Sequence, residues 1–341
     1  MTKLPKISSF DDVRALIADL PGPDAEAETA ARAREPRLTK PAGSLGRLEQ
    51  LAAWTATWQG RYPPRLATPN VHVFAGNHGI VAQGVSAFPA DVTKQMVHNF
   101  EHGGAAINQM CESVGAGLCV EILDLDHPTR DFSVEPAMSE TECAGAIDFG
   151  MHVVDAASDV VCLGEMGIGN TTASAAICHA LFGGEAALWC GAGTGLDGDG
   201  VRRKIDVVAR SVALHKAALG DGLEVLRHFG GREMAAIAGA VLAARLLRVP
   251  VMLDGYVSTS SAATLHALAP GVLDHCQVGH VSQEPGHAAL LEKIGKRALL
   301  DMDMRLGEAT GAALAVSLLK AAVACHNGMM TFEQAGVSDK G

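Results

Sequence analysis

Short apolar runs alternate with longer segments of helical periodicity along most of the chain. Each run is short enough to be a buried strand, and each ends in glycine or polar residues before a helix-like segment. We predict strands at 71–75, 118–123, 160–163, 187–190, 249–254 and 276–281. Such alternation is typical of an α/β protein with a mostly parallel, Rossmann-like sheet and helices on both faces.

The segments before the first strand and after the last one are predicted to be helical. Residues 8–60 are amphipathic, with Ser9 and Asp24 as expected N-caps and Ser44 opening a third helix. Further helices are predicted at about 91–111, 140–157, 200–219, 232–247, 287–299 and from the 305–311 segment to Cys325. We expect residues 1–62 and 300–341 to form a small helical domain and residues 63–299 the large α/β domain, with Glu308 at their junction.

The composition narrows the class of protein. The chain has 341 residues, 48% hydrophobic and 19% charged, so it is predicted to be globular and well buried. The net charge of -11 disfavours nucleic acid as a partner. Eight cysteines without a C-x-x-C motif indicate reduced, buried thiols in a cytoplasmic protein. No signal peptide is expected, and the apolar stretch 234–253 is interrupted by Arg245, Arg248 and Pro250, which disfavours a membrane span.

The stretch 159–172, DVVCLGEMGIGNTT, combines a buried strand, a glycine-rich loop and a helix start. Glycines allow close backbone approach to a ligand, and the free N–H groups of a helix start suit a phosphate. An ordinary strand-to-helix turn remains the alternative. Glu165 is the unusual residue, because a carboxylate repels a phosphate.

Other polar loops are expected at the same edge of the sheet, at 76–89, 191–197, 254–261 and 282–286. Arg202, Arg203 and Lys204 lie in a helix first turn, where a bound anion or a solvated surface would account for them. His98 and His102 have i,i+4 spacing, but without a suitably spaced third ligand we favour a polar helix face and expect no metal.

Seven motifs occur in the order of one known family. They are KPAGSLGRLEQLA, AGNHGIVAQGVSAFPADVTKQMV, GEMGIGNTTASAA, GAGTGLD, LDGYVSTSSA, GHVSQEPGH and RLGEATGAALA, spanning roughly residues 40–316. Together they resemble the nicotinate-nucleotide–dimethylbenzimidazole phosphoribosyltransferases, which make the lower-ligand nucleotide of cobalamin. Two positions depart from the family: Asn77 replaces the usual Asp, and Ala309 replaces the usual Gly.

The resemblance implies roles for individual residues. Glu308 would be the general base and Glu165 a second active-site carboxylate, although a helix first-turn carboxylate is the plainer explanation of Glu308. The remaining residues would bind substrates: Phe88, Gln95 and Leu306 the benzimidazole, and Gly167, Gly169, Asn170, Thr171, Thr172, Gly193, Lys204, Asp254, Ser282, Arg305 and Gly307 the nucleotide and its surroundings.

The implied reaction joins nicotinate mononucleotide and 5,6-dimethylbenzimidazole in a single inverting displacement, giving nicotinate and α-ribazole 5′-phosphate. No cofactor is needed, since the nicotinate is already a cationic leaving group. The resemblance also implies a homodimer. A non-catalytic nucleotide-binding sensor or carrier is the alternative. A nicotinamide-dependent oxidoreductase is disfavoured, because a glycine loop with an acidic residue roughly 20 positions further on is not found near the first strand.

Overall fold

A computed structural model of the chain, describing residues 4–338, shows one six-stranded sheet in which every pair of neighbouring strands is parallel. The strands are β1 Pro69–Ala75, β2 Gly117–Ile122, β3 Val160–Met166, β4 Val251–Leu253, β5 Cys276–His280 and β6 Ala298–Leu300. Their order across the sheet is β2-β1-β3-β4-β5-β6. The chain leaves β1 in one direction to form β2 and returns on its other side as β3. The carboxyl ends of β1 and β3 therefore flank a topological switch point, where α/β sheets bind ligands.

Fifteen α-helices accompany these strands within residues 4–338. They are α1 Phe10–Ala18, α2 Ala25–Arg34, α3 Arg47–Gln59, α4 Val92–Glu101, α5 Ala106–Val114, α6 Glu140–His152, α7 Asn170–Phe182, α8 Ala186–Trp189, α9 Gly198–Leu214, α10 Gly222–Phe229, α11 Arg232–Leu246, α12 Tyr256–His266, α13 Pro285–Lys293, α14 Thr310–Gly328 and α15 Phe332–Ala335.

Helices cover both faces of the sheet, as the sequence predicted. Strand residues of one parity, such as Leu163 and Val251, pack against apolar residues of α6, α7, α10, α11 and α12. Residues of the other parity, such as Cys162 and Met252, pack against α3, α5 and α14. Burial on both faces explains why these strands are apolar runs without alternation. The predicted α/β fold class is confirmed.

One predicted strand is wrong and one strand was missed. Residues 187–189 belong to a helical turn, α8, and Cys190 is its C-cap; the Trp189 indole donates to the carbonyl of Gly183, before the turn, at 2.8 Å. A four-residue apolar run fits either a strand or a helical turn, and the sequence pattern does not distinguish them. The sixth strand is β6, which lies in the predicted helix 287–299. That helix ends at Lys293 because Gly295 adopts a left-handed φ of +64°.

Several helix boundaries also differ, and the helices predicted at 140–157 and 200–219 end earlier, at His152 and Leu214. The predicted helix 91–111 is two helices, α4 and α5, with Gly103 and Gly104 between them. Ser9 and Asp24 cap α1 and α2 as expected, whereas Ser44 is not the N-cap of α3, whose N-cap is Gly46. Six cysteines are buried, but Cys119 is exposed and Cys325 is half-buried, so these two depart from the expected burial.

The terminal helices pack on the sheet as well as on each other. α14 contributes Ala312, Ala313 and Val316 to the same apolar cluster as Leu51 of α3 and Val73 of β1. The division into a small helical domain and a large α/β domain stays a prediction. None of the helices within residues 4–338 is both long and apolar enough to cross a membrane.

Candidate active site

A cavity of about 440 Å³ lies at the carboxyl edge of the sheet. Its walls come from the ends of β3 and β5, the start of α12, the 193–194 loop and the segment that precedes α14. The volume suits a small organic ligand. Ten of the predicted site residues line it: Phe88, Glu165, Gly167, Asn170, Thr171, Gly193, Ser282, Arg305, Leu306 and Gly307.

The other six predicted residues do not line the cavity. Gln95 is exposed on α4. The remaining five are buried behind the wall: Gly169, Thr172, Lys204, Asp254 and Glu308. Their placement is compatible with supporting the wall, and a direct substrate contact by any of them stays a prediction.

Glu165 is the central carboxylate of the cavity. It ends β3 next to the glycine loop, is 8% exposed, and accepts a hydrogen bond from the Asn170 side-chain amide. Burial and the nearby charges of Asp254 and Glu233 hold its pKa well above the usual value. Burial among these carboxylates therefore favours the neutral form of Glu165 in the free protein. A shift toward the neutral form weakens the repulsion between Glu165 and a phosphate that the sequence indicated.

Lys204 is a fully buried cation beside the loop. Its Nζ donates to Thr171 Oγ1 at 2.8 Å and to the carbonyl of Gly191 at 3.3 Å. Burial lowers its pKa, and the charge of Glu284 opposes that shift. Arg203, which precedes it, donates instead to the carbonyl of Gly84.

The 193–194 loop is held from both sides. Glu284 Oε1 accepts from Gly193 N at 2.8 Å, and Arg305 donates to the carbonyl of the same glycine at 2.9 Å. Arg305 lines the cavity and Lys204 lies behind its wall, so two basic side chains flank the predicted phosphate position. At the α7 start, the N–H groups of Asn170 and Thr172 donate to the carbonyls of Gly167 and Gly169. This arrangement can hold an anionic group.

Glu308 lies beside Glu165 through a backbone contact: its N–H donates to the carbonyl of Glu165 at 3.1 Å. Burial and the charge of Asp254 raise the pKa of Glu308 to about 7. Its carboxylate accepts no hydrogen bond from any group in residues 4–338, so both oxygens are free to take a proton. A carboxylate with this pKa suits general-base chemistry at neutral pH.

Close backbone contacts fix the segment that carries Glu308. Gly307 has a φ of +85°, and a Cβ there would lie 2.7 Å from Glu165 Oε1. A Cβ on Gly164 would lie 2.1 Å from Ala309 N. Both glycines are therefore required to bring the two carboxylates together.

Asp254 has a structural position. It is 1% exposed, and its Oδ1 accepts from Gly311 N at 2.7 Å and Ala312 N at 3.0 Å, at the start of α14. Its charge contributes to the raised pKa of both Glu165 and Glu308. These contacts indicate that Asp254 holds the start of α14 more directly than they indicate substrate binding.

Several wall residues were not predicted, among them Met166, Thr194, Tyr256, His280 and Glu284. Glu284 lies two residues after Ser282, and His280 ends β5. A search for polar residues at strand carboxyl ends would have found both. Tyr256 is buried and donates to the carbonyl of Trp189 at 2.9 Å. Its position in the cavity wall therefore depends on the unexpected helix α8.

The two departures from the family pattern have clear local effects. The Asn77 side chain donates to the carbonyl of Leu125 at 2.8 Å, which an ionised aspartate could not do. Ala309 is fully buried with a φ of +62°, a region that favours glycine. Within residues 4–338, the two clusters of metal-ligating side chains lie outside the cavity wall.

Comparisons with known proteins agree with this geometry. Residues 20–337 match the family model described as phosphoribosyltransferase. The nicotinate-nucleotide–dimethylbenzimidazole phosphoribosyltransferase of Sinorhizobium medicae is 58% identical over 331 residues, 97% of this chain and 98% of that protein. The Brucella anthropi protein of the same name is 58% identical over 96% of this chain and 97% of its own length.

A solved structure shares the fold. The crystal structure of CobT from Thermus thermophilus has a TM-score of 0.86 and 41% identity, over 92% of this chain and all of that one. Identity at this level over nearly the whole length shows common family membership. The chain belongs to the nicotinate-nucleotide–dimethylbenzimidazole phosphoribosyltransferase family.

Proposed function

We propose that this protein transfers the phosphoribosyl group of nicotinate mononucleotide to 5,6-dimethylbenzimidazole, for the lower ligand of cobalamin. The observation that carries the proposal is Glu308, a buried carboxylate with a pKa of about 7 beside an anion-binding loop. Family membership supports the same reaction.

The donor would lie with its phosphate at the α7 start. Thr171, Gly193 and Arg305 line that part of the cavity, and Lys204 lies behind it. Charge-assisted hydrogen bonds from the two cations would stabilise the phosphate. Phe88 and Leu306 are largely exposed apolar side chains at the cavity wall, and they would cover the flat benzimidazole ring. Gln95 keeps its proposed role toward the ring only if α4 approaches in the complex.

In the proposed step, one benzimidazole nitrogen attacks C1′ while the bond from C1′ to the nicotinate nitrogen breaks. The bonding electrons neutralise the pyridinium, so nicotinate leaves without an acid. The proton on the other benzimidazole nitrogen passes to Glu308. Displacement at one face inverts C1′ and converts the β-nucleotide into the α-riboside. Most of the rate would come from holding both substrates in line.

Glu165 would assist at the donor. Burial favours its neutral form in the free protein, but a cationic nicotinate within the cavity favours the ionised form. The ionised Glu165 would then stabilise positive charge at C1′ as the leaving group departs.

The decisive experiment mixes purified protein with both substrates and separates the products by chromatography. We expect stoichiometric nicotinate and α-ribazole 5′-phosphate. Tight binding of both substrates without product would establish a non-catalytic sensor or carrier instead.

We also propose that the protein acts in the cytoplasm as a homodimer. The eight cysteines are unpaired, which suits a reducing compartment. The homodimer rests on the family resemblance, and sedimentation analysis at micromolar concentration tests it directly.

A further inference from the structure

A polar group of side chains lies on one face of the sheet edge, away from the active-site cavity. β2 is the edge strand, and its residues Cys119 and Glu121 are two positions apart, so both side chains point to the same face. His72 of β1 pairs with Cys119 in the parallel register. Three residues of different chemistry are thus brought together from two neighbouring strands.

The three side chains lie at metal-binding distances. His72 Nδ1 is 3.0 Å from Glu121 Oε1. One ligand atom from each of the three residues lies within 4.8 Å of the others. Tetrahedral bonds of about 2.0–2.3 Å place zinc ligands about 3.3–3.8 Å apart, so only small side-chain movements separate this arrangement from coordination.

We propose that His72, Cys119 and Glu121 form a binding site for a divalent transition-metal ion of the zinc type. Imidazole, thiolate and carboxylate are the three ligand types that zinc takes in proteins. The thiolate excludes Mg²⁺ and Ca²⁺, which take oxygen ligands. On binding, the Cys119 thiol loses its proton to solvent and its sulfur bonds the ion.

The burial of the ligands suits a site with one open position. The His72 side chain is 4% exposed and that of Glu121 is 17% exposed, whereas Cys119 is exposed at the sheet edge. The sheet therefore fixes the histidine, and solvent reaches the ion from the cysteine side to supply a fourth ligand. Cys119 is also the most exposed of the eight cysteines, and coordination would protect its thiol.

A second cluster, His98, Glu101 and His102, is a weaker candidate. All three residues are exposed on one turn at the end of α4. His102 Nδ1 is already bonded to the carbonyl of His98 at 2.7 Å. Its side chains have no rigid partner strand to hold them, so it serves as the comparison in the test.

The proposed ion has a structural consequence rather than a catalytic one. None of its ligands lines the active-site cavity. It would join the edge strand β2 to β1 through side chains, in addition to the backbone ladder. The sequence interpretation expected no metal, because it examined histidines close together in sequence and could not see the pairing of β1 with β2.

The test titrates Co²⁺ into the tag-free full-length protein and follows the thiolate-to-cobalt charge-transfer absorption. We expect saturation at one equivalent in the wild type. Cys119→Ser should lose this absorption and bind at least about tenfold more weakly. Cys325→Ser removes another partly accessible thiol and should behave as wild type, as should His102→Gln. Zn²⁺ should displace the cobalt and raise the melting temperature of the wild type but not of Cys119→Ser.

The reverse results overturn the proposal. These are an absence of charge-transfer absorption in the wild type at equimolar Co²⁺, an unchanged absorption in Cys119→Ser, or a loss caused by His102→Gln alone. Circular dichroism checks that each variant folds. If Cys119→Ser does not fold, Glu121→Gln replaces it and must weaken Co²⁺ binding by a similar factor.

Discussion

Replacing Glu308 by Gln should make the protein more stable and nearly inactive. The pKa of this carboxyl is raised from 4.5 to about 7 by burial and by Asp254. The folded state therefore holds the proton more tightly than the unfolded state between these two values. Stability is unaffected by Glu308 below pH 4.5, falls as the pH rises toward 7, and stays reduced above it.

The size of this penalty follows from the shift. One pKa unit corresponds to about 1.4 kcal/mol, so ionising Glu308 costs about 3 kcal/mol at pH 8 and about 1 kcal/mol at pH 5. Gln keeps the shape and removes the charge. Any change in packing or hydrogen bonding caused by the amide is the same at both pH values. The gain in stability of Glu308→Gln should therefore be about 2 kcal/mol larger at pH 8 than at pH 5.

Denaturant unfolding of the wild type and the variant at both pH values measures this double difference. Glu112→Gln is the matched control, because Glu112 is exposed on α5 and should show no pH-dependent gain. An equal stability change at both pH values would refute the burial argument for Glu308.

The activity arm uses the same protein samples. The wild-type rate should rise with pH and level off above about 7, because the base must be ionised. Loss of a general base typically costs about 10²–10⁴-fold in turnover. Glu308→Gln should lose that much of kcat while calorimetry shows both substrates still bound. Turnover within tenfold of the wild type would assign the base elsewhere, with Glu165 as the next candidate.

Three further predictions concern the surroundings of these carboxylates. Lys204→Gln should weaken nicotinate mononucleotide binding about 10–100-fold, because a charge-assisted hydrogen bond contributes about 1.5–3 kcal/mol. Calorimetry should show unchanged benzimidazole binding, and an equal loss of affinity for both ligands would contradict a role of Lys204 at the phosphate. Gly307→Ala should lower the stability by about 1–3 kcal/mol and reduce turnover, since the new Cβ meets Glu165 at a φ of +85°; Gly328→Ala, where a Cβ has open space, is the control. Asn77→Asp should destabilise the protein by about 1–3 kcal/mol at pH 7, because the hydrogen-bond donor to the Leu125 carbonyl is lost. Denaturant unfolding measures this change, and unchanged stability would show that the turn does not need this hydrogen bond.

The fold could be predicted from the sequence because its strands are apolar runs followed by polar loops. Strand–loop–helix units repeat with few ambiguities, so β3, the glycine loop and α7 were predicted as one unit, although β3 continues to Met166 beyond the predicted end at 163. The exceptions are short. The run 187–190 and the strand Ala298–Leu300 have too few residues for periodicity, and tertiary contacts determined their structure.

The candidate site was predictable in part for a related reason. Strand-end loops meet at one edge in any parallel sheet, so residues such as Glu165 and Ser282 could be expected together. The sequence could not predict how deeply each of these side chains is buried. Whether Lys204 or Asp254 lies on the wall or behind it depends on side-chain packing between distant segments, and the spacing of residues carries no information about it.

The roles of the two glutamates follow from the burial of each side chain and from the charges that lie near it. Burial raises the pKa of Glu165, and the charges of Asp254, Glu233 and Glu308 raise it further. Glu308 feels mainly burial and Asp254, and its pKa of about 7 leaves it partly ionised at neutral pH. The larger set of neighbouring carboxylates acts on Glu165, so a negative charge is favoured on Glu308 rather than on Glu165. A proton acceptor is thus ready before the benzimidazole binds. A cationic donor in the cavity lowers the pKa of Glu165, which couples its ionisation to the presence of the substrate that needs it.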